Sequence, residues 1–193
     1  MKKSGISDVL RSKKTVFTSK DLSLIWGVSD MNLVKSRANY FVRTNKLYSI
    51  RRGLYAKDQN YDKFELATRI YTPSYVSFET VLGRAGITFQ YYSQIFIASY
   101  LTREIVCDKQ KYSFKKIKDV ILTNNLGVEN KDNYAIATKE RALLDTIYVK
   151  KYYYFDNLSP LNWDEIFRIL PIYQNKRMEK KVKEIYEDFK KNE

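Results

Sequence analysis

The first 57 residues show helical spacing of apolar positions in three successive segments, followed by two short segments with the composition of strands. The apolar residues of segment 5–14 share one side of a predicted first helix. Thr18 and Asp21 have the spacing of a capping box, in which each side chain bonds the backbone N–H of the other residue, so they predict the start of a second helix. Gly27 is predicted to end that helix.

A third helix is predicted over residues 30–44. Ser29 is positioned to cap this helix, and Val28 and Leu33 have the spacing of a hydrophobic staple. A turn of about three residues that contains Gly27 therefore joins two helices, which is the pattern of a helix-turn-helix. The predicted inner face of the third helix is apolar and consists of Val34, Ala38, Phe41 and Val42.

The opposite face of the third helix contains no acidic residue, although ordinary solvated faces mix both signs of charge. Asn and Arg side chains can make paired hydrogen bonds to base edges, and Lys and Ser side chains suit phosphates. The alternative is an ordinary amphipathic helix with a solvated polar face. The candidate DNA-contacting residues on and beside this helix are Ser29, Asn32, Lys35, Ser36, Arg37, Asn39, Tyr40 and Arg43.

Residues 47–56 indicate a β-hairpin, because two β-prone segments flank Arg51, Arg52 and Gly53. Arginines at a hairpin tip that follows a recognition helix are typical of a wing, which lies over the phosphate backbone or enters the minor groove. The alternative is a solvated turn. Together with the preceding helices, this hairpin predicts a winged helix-turn-helix domain over residues 1–57.

Positive charge is concentrated in the same residues. They contain 13 Lys and Arg against three Asp, a net charge of +10 out of +13 for the whole chain. A cationic module beside a nearly neutral remainder predicts binding to a polyanion, with DNA or RNA as the expected target. The winged helix-turn-helix pattern points to double-stranded DNA as the partner. An AT-rich genome would also raise the isoelectric point, but it does not explain the asymmetry. The candidate phosphate contacts outside the third helix are Lys13, Lys14, Lys20, Arg51 and Arg52.

Residues 61–193 are predicted to form a second, mixed α/β domain that ends in helices, which makes the chain an α+β protein. Helices are predicted at 62–71, 77–82 and 139–149, after a cap at Asn162, and from 175 onward. Strands are predicted at 94–100, 104–108, 111–117, 120–123 and 134–137, with loops at 124–125 and 129–133. The last helix has an apolar stripe that is predicted to pack onto the body rather than to bind a partner.

The composition excludes several kinds of catalytic and metal site. The chain has no His and one Cys, so zinc sites of the Cys/His type and His-based acid–base catalysis are excluded. No Gly-rich phosphate loop or paired-Asp metal motif is present. We therefore expect no cofactor, no metal and no enzymatic activity, and a buried role for Cys107. A lone cysteine fits a reducing cytoplasm, and the longest apolar run, 95–98, is too short to span a membrane.

Four consecutive aromatic residues stand at Tyr152 to Phe155. Exposed aromatic rings stack on nucleobases, so this run is a possible nucleic-acid contact. Packing of the four rings between helices is the favoured interpretation, because aromatic side chains bury large apolar areas.

Several segments resemble the AbiEi-type antitoxins of bacterial abortive-infection toxin–antitoxin systems. Residues 28–47 with 50–55 resemble the winged-helix start of that family. Residues 75–82, with the sequence YVSFETVL, resemble the helix that opens its second domain. Residues 137–145, with the sequence ATKERALLD, resemble a later segment of that domain. One departure is Asn45, where the family often has Gly, but Asn also tolerates the left-handed conformation.

The resemblance implies a function that the residues alone do not reveal. Members of the family repress their own operon by binding inverted repeats in its promoter. Their second domain neutralises a toxin of the nucleotidyltransferase type, without forming a stable complex with it. The alternatives are a winged-helix regulator with a ligand-sensing second domain and an RNA-binding module.

Overall fold

The computed structural model describes residues 5–191, and it has the mixed α+β composition that the sequence predicts. Helices and strands are interspersed along this range, and the strands form two separate sheets. Residues 5–57, the amino-terminal module, contain the smaller sheet with three helices. Residues 58–191, the carboxyl-terminal module, contain the larger sheet with the other helices.

The amino-terminal module has the elements α1 (Ile6–Arg11), β1 (Val16–Thr18), α2 (Ser19–Trp26), α3 (Met31–Arg43), β2 (Tyr48–Arg51) and β3 (Leu54–Ala56). Its antiparallel sheet has β3 in the middle, between β1 and β2. The predicted capping box is present, because the Asp21 N–H donates to Thr18 Oγ1 at 3.0 Å and the Thr18 N–H donates to Asp21 Oδ2 at 2.9 Å. Gly27 ends α2 with a φ of 62°, as predicted.

The carboxyl-terminal module has the elements α4 (Lys63–Ile70), β4 (Ser74–Val76), α5 (Glu79–Arg84), β5 (Ile95–Ser99), β6 (Arg103–Cys107), β7 (Gln110–Lys116), α6 (Asp119–Leu122), β8 (Val128–Lys131), β9 (Tyr134–Ala137), α7 (Lys139–Val149), α8 (Trp163–Ile169), a 3₁₀ turn (Leu170–Tyr173) and α9 (Lys176–Lys191). Its strands lie in the order β6-β7-β5-β4-β9-β8. The pairs β5/β7 and β4/β9 are parallel, and the other neighbours are antiparallel. Every residue of β5 is buried, so this strand lies in the core of the module.

The strand predicted at 120–123 is wrong, because these residues lie in and directly after the single helical turn α6. The Thr123 hydroxyl donates to the Asp119 carbonyl at 2.7 Å, which closes the turn. Ile121 and Leu122 are buried there. Periodicity cannot separate a short buried strand from a short buried helix, so the β-branched residues gave a misleading indication.

The loop predicted at 129–133 is wrong over most of its length, because residues 129–131 belong to strand β8. This strand forms a hairpin with β9, in which Lys131 pairs with Tyr134. Since β8 is the last strand of the sheet and its side chains are mostly exposed, it is polar and lacks the alternating pattern of a half-buried strand. Backbone pairing with β9, rather than apolar side chains, holds it in the sheet.

The small sheet contributes to two hydrophobic cores at once. One side of it carries Phe17 and Tyr55 into the core of the amino-terminal module, together with residues of α2 and α3. The other side carries Val16, Leu54 and Ala56 into the core of the carboxyl-terminal module. The two modules are therefore packed through this sheet, with the residues between β3 and α4 forming only a short connection.

The packing predicted for the last helix is confirmed. Met178 and Val182 are buried, and the rings of Tyr186 and Phe189 lie 4.8 and 5.5 Å from the ring of Trp163 on α8. This stripe therefore forms part of the protein core.

The prediction for the aromatic run is correct for two residues and wrong for two. Phe155 is buried and packs at 4.9 Å on Tyr153, whereas Tyr152 and Tyr154 are 80% and 81% exposed. The run follows the end of α7 as irregular chain and is not enclosed between helices, so alternate side chains turn to solvent.

Candidate nucleic-acid interface

The start of α3 is held by Asp30, whose carboxylate accepts a hydrogen bond from the Asn32 N–H at 2.8 Å. The predicted cap, Ser29, is wrong by one position and lies exposed just before the helix. Both residue types are strong N-caps, so the sequence alone did not separate them. The inner face is as predicted, because Val34, Ala38 and Phe41 are buried. Burial of these three side chains determines which side of α3 faces outward.

The outward side of α3 is exposed along the whole helix. Its two exposed cations are Lys35 and Arg43. Neither is within ion-pair distance of a carboxylate in the described part of the chain. Their positive charges are therefore available to an anionic partner, next to amide groups that can read base edges. The predicted contact residues that the structure places on this side are Asn32, Lys35, Ser36, Asn39, Tyr40 and Arg43.

Arg37 has a different position from the other predicted residues of α3. Its guanidinium carbon lies 4.8 Å from the ring centroid of Trp26 and 6.0 Å from that of Phe41. The side chain is half-buried, and its cation–π contact joins α3 to α2. Arg37 therefore acts on the orientation of the two helices.

Leu33 is a further candidate for the interface, although its spacing from Val28 predicts a hydrophobic staple. The predicted staple with Val28 requires a helix cap at Ser29, and the true cap at Asp30 moves the helix by one position. Leu33 is consequently 56% exposed beside Asn32. An exposed apolar side chain on this face can contact the methyl group of thymine. Its unusual exposure is visible only in the structure.

The two arginines of the predicted wing have different surroundings. Arg52 is exposed at the turn between β2 and β3, where Gly53 adopts a φ of 79°. Arg51 is also exposed, but its guanidinium lies near enough to the thiol of Cys107 on β6 to interact with it electrostatically. Burial raises the pKa of this thiol, and the nearby Arg51 guanidinium opposes part of that rise. Arg51 therefore reaches across to the carboxyl-terminal module, while Arg52 points into solvent.

Lys20 belongs to the same end of the module as Arg52. The Ser19 N–H donates to the Gly53 carbonyl at 3.1 Å, which ties the start of α2 to the hairpin turn. Lys20 and Arg52 adjoin this hydrogen bond in the chain, and both are exposed. The structure therefore places these two predicted cations on adjoining stretches of backbone.

Lys13 and Lys14 lie at the junction between the modules. The Lys14 ammonium pairs with the Asp21 carboxylate at 2.6 Å. Although burial raises it, hydrogen bonds from Lys14 and Thr18 hold the pKa of Asp21 below its ordinary value. The Lys13 carbonyl accepts a hydrogen bond from Asn133 Nδ2 at 3.1 Å. Lys14 is therefore the predicted phosphate contact whose charge is already matched by a carboxylate.

Further hydrogen bonds across the junction position the amino-terminal module. Glu65, which is fully buried on α4, accepts from the Thr15 N–H at 2.8 Å and from its hydroxyl at 2.7 Å. On the other side of the small sheet, the Asp108 carboxylate accepts from the hydroxyls of Tyr48 at 3.0 Å and Tyr61 at 2.7 Å. These contacts hold both ends of the small sheet against its neighbour.

A buried polar cluster joins the two segments of the carboxyl-terminal module that carry the family resemblance. The hydroxyls of Tyr75 and Tyr173 donate to opposite oxygens of the Asp145 carboxylate, at 3.0 and 2.6 Å. The Ser77 hydroxyl donates to the same carboxylate at 2.8 Å. Arg141, one helical turn before Asp145, places its Nε 3.3 Å from the carboxylate, and both side chains are 0% exposed.

The remaining donors of Arg141 are also used. Its guanidinium donates to the Tyr75 hydroxyl and to three backbone carbonyls, those of Ile121, Asn124 and Leu126. Although burial alone lowers it, the Asp145 charge raises the pKa of Arg141 above its ordinary value. Burial, and then the charge of Asp145, raise the pKa of Tyr75 and of Tyr173. Arg141 thus stays charged and ties α7 to the chain around α6.

This cluster has the geometry of a structural centre. Its charged groups satisfy one another, and their complete burial leaves no surface for a substrate. In residues 5–191, no group of His, Cys, Asp and Glu side chains could hold a metal ion. No helix in the same range has the length and apolar character needed to cross a membrane. The exposed side of α3, with Lys20 and Arg52, is therefore the main candidate for binding a partner.

Comparison with models of known protein families and with curated proteins finds no match for this chain.

Proposed function

We propose that this chain is a DNA-binding transcriptional repressor of its own operon, with a winged helix-turn-helix in residues 5–57. The order helix–strand–helix–helix–strand–strand supports this proposal, as does the central position of β3 in the small sheet. Proteins of this architecture insert the helix after the tight turn into the major groove. In this chain that helix is α3, and the hairpin between β2 and β3 is the wing.

The observation that carries the proposal is the exposed, acid-free outer side of α3. Arg43 can pair with the O6 and N7 acceptors of guanine, and Asn32 and Asn39 can pair with the N6 and N7 groups of adenine. Lys35 adds a cation for phosphate, and Arg52 adds a second cation on the wing. Base-reading and phosphate-binding groups therefore occupy the same surface, as a sequence-specific DNA contact requires.

We propose in addition that the chain is the antitoxin of a type IV toxin–antitoxin system and neutralises a nucleotidyltransferase toxin. This part rests on the resemblance to the AbiEi-type antitoxins. The two resembling segments of the carboxyl-terminal module meet in one buried cluster, through the hydrogen bonds of Tyr75 and Ser77 to Asp145. This contact between the two segments supports an architecture shared with that family, because chance matches of short segments would not be expected to meet at one carboxylate.

DNA binding is tested with a labelled duplex from upstream of the gene, by fluorescence anisotropy at about 0.1 M salt. We expect the protein to prefer this duplex to a random sequence. Arg43→Ala or Asn32→Ala should reduce that preference by about 1–3 kcal/mol. Lys183→Ala, which removes an exposed cation from α9, is the matched control and should leave the preference unchanged.

Equal binding of the upstream and random duplexes would refute sequence-specific repression. Tighter binding to transfer RNA than to the upstream duplex would instead support an RNA-binding module. If the chain is a repressor of its own operon, footprinting should show that the DNA it protects contains inverted repeats.

Antitoxin activity is tested by co-expressing this chain with the product of the adjacent gene. The proposal expects that product to be a nucleotidyltransferase whose toxicity is relieved by the full-length chain. Arg43→Ala should still relieve it, because this side chain belongs to the DNA-binding surface. Unrelieved growth arrest at matched expression levels would refute the antitoxin assignment and leave the DNA-binding assignment standing.

A further inference from the structure

A basic groove lies between the end of α7 and the first turns of α9. Its volume is about 550 Å³, within the range of about 300–1,000 Å³ that small-molecule sites occupy. The buried side chains of Ile147 and Met178 contribute to its lining. The groove belongs to the carboxyl-terminal module, whereas the proposed DNA-binding surface belongs to the other module.

Four cations line this groove: Lys151, Arg177, Lys180 and Lys181. Glu184 is the one acid in the lining, and it approaches the Lys180 ammonium at 3.9 Å. Within residues 5–191, neither Lys151 nor Arg177 has a carboxylate at ion-pair distance. The groove therefore carries more positive charge than Glu184 can neutralise.

Lys181 shows the electrostatic cost of this arrangement. Its ammonium donates to the Lys151 carbonyl at 2.7 Å, which draws it towards the groove. Burial first, and then the charge of Arg177, lower the pKa of Lys181, and the nearby Glu184 carboxylate opposes part of this lowering. Like charges held together in this way repel one another, and a bound anion would relieve the repulsion.

Tyr152 adds an aromatic surface at the edge of the groove. Its ring is 80% exposed, and the ammonium groups of Lys151 and Lys181 lie 5.2 and 6.0 Å from the ring centroid. An exposed ring among cations is the combination by which proteins bind a base and its phosphate together.

We propose that this groove binds a nucleotide, with the base against Tyr152 and the phosphate among Lys151, Arg177 and Lys181. The same chemistry is presented by a free nucleoside triphosphate and by the nucleotides of a single-stranded RNA. This site is independent of the proposed DNA-binding surface, because the two surfaces share no residue.

The test measures binding of two probes to the full chain: fluorescently labelled ATP, and a labelled single-stranded RNA of about ten nucleotides, which suits one compact single-strand site. Arg177→Glu should weaken binding by about tenfold or more, because it replaces a phosphate partner with a like charge. Tyr152→Ala should weaken binding by at least about fivefold through loss of stacking.

Each variant has a matched control. Lys183→Glu makes the same charge change on the same helix outside the groove, and Tyr154→Ala removes a ring of equal exposure outside it. Both controls should change affinity by less than about twofold. Arg43→Glu should likewise leave ATP binding unchanged, which separates the groove from the surface of α3.

Saturable ATP binding that Arg177→Glu weakens and Lys183→Glu does not would support a free nucleotide as the ligand. The same pattern with RNA alone would support single-stranded RNA. The proposal is overturned if neither probe binds saturably, or if the groove variants and their controls lose affinity equally.

Discussion

The Glu65 carboxylate accepts both the backbone N–H and the hydroxyl of Thr15, at 2.8 and 2.7 Å, across the boundary between the two modules. Glu65 is 0% exposed, so its charge depends on these donors and on Arg69, 3.9 Å away. The Thr15 hydroxyl also accepts from the Asp62 N–H at 2.9 Å. One threonine thus links the loop before β1 to the first helix of the neighbouring module.

Thr15→Val should therefore destabilise the protein by about 1–3 kcal/mol, because it removes one of the two donors to Oε2 of the buried Glu65 carboxylate and the acceptor of the Asp62 N–H. Urea unfolding followed by circular dichroism measures the change. Thr123→Val is the control, since its hydroxyl is exposed and bonds a carbonyl of its own helix. Equal losses of stability in the two variants would show that the junction bond has no special importance.

Asp145→Asn should cost about 3–5 kcal/mol, because it leaves Arg141 charged and unpaired inside the core. The exposed pair of Glu165 and Arg168 offers the comparison, and Glu165→Gln should cost no more than about 1 kcal/mol. Urea denaturation measures both changes in the free energy of unfolding. The slope of that free energy against urea concentration should be the same in the variants as in the native chain. A loss below that of Glu165→Gln would contradict a structural role for the buried cluster.

Acid should remove the stabilisation that Asp21 provides. Because its folded-state pKa is lowered, the carboxylate stabilises the fold above the ordinary unfolded-state value of about 4, and this stabilisation is lost as the pH falls towards the folded-state value. The difference in melting temperature between the native chain and Asp21→Asn should accordingly narrow between about pH 6 and about pH 3. A constant difference over that interval would exclude a titrating Asp21 as its source.

The two wing arginines should differ in their effect on DNA binding. Arg52→Ala should reduce the slope of log affinity against log salt by about 0.9, the value for one lost phosphate contact. Arg51→Ala should leave the slope unchanged, because this guanidinium lies near Cys107 of the carboxyl-terminal module. Anisotropy titrations at several salt concentrations measure both slopes. The reverse order would mean that Arg51 leaves Cys107 when DNA binds.

Local signals in the sequence were sufficient to predict where several helices begin. Thr18, Thr138 and Asn162 each cap a helix through a side chain that bonds a backbone N–H two or three residues later. Such a bond depends only on nearby residues, so its spacing can be read directly. The cap of α3 was displaced from Ser29 to Asp30 because two adjacent residues have the same capacity.

Short strands were predicted less well. Strands β1 and β4 have three residues each, too few to show an alternating pattern, and the polar strand β8 lies at the edge of its sheet. Each exists because a partner strand supplies its backbone hydrogen bonds. That partner is set by the path of the whole chain, so local composition carries little information about it.

The sequence by itself determined the charge asymmetry and the division of α3 into an apolar face and an acid-free polar face, because both follow from residue identity and helical period. Only the tertiary structure decided that Lys14 is paired with Asp21, that Arg51 lies near Cys107, and that Arg52 is exposed. It also decided that Tyr75 meets Asp145, 70 positions later in the chain. Helical spacing acts over a few residues, whereas these contacts depend on how the two sheets and their helices pack together.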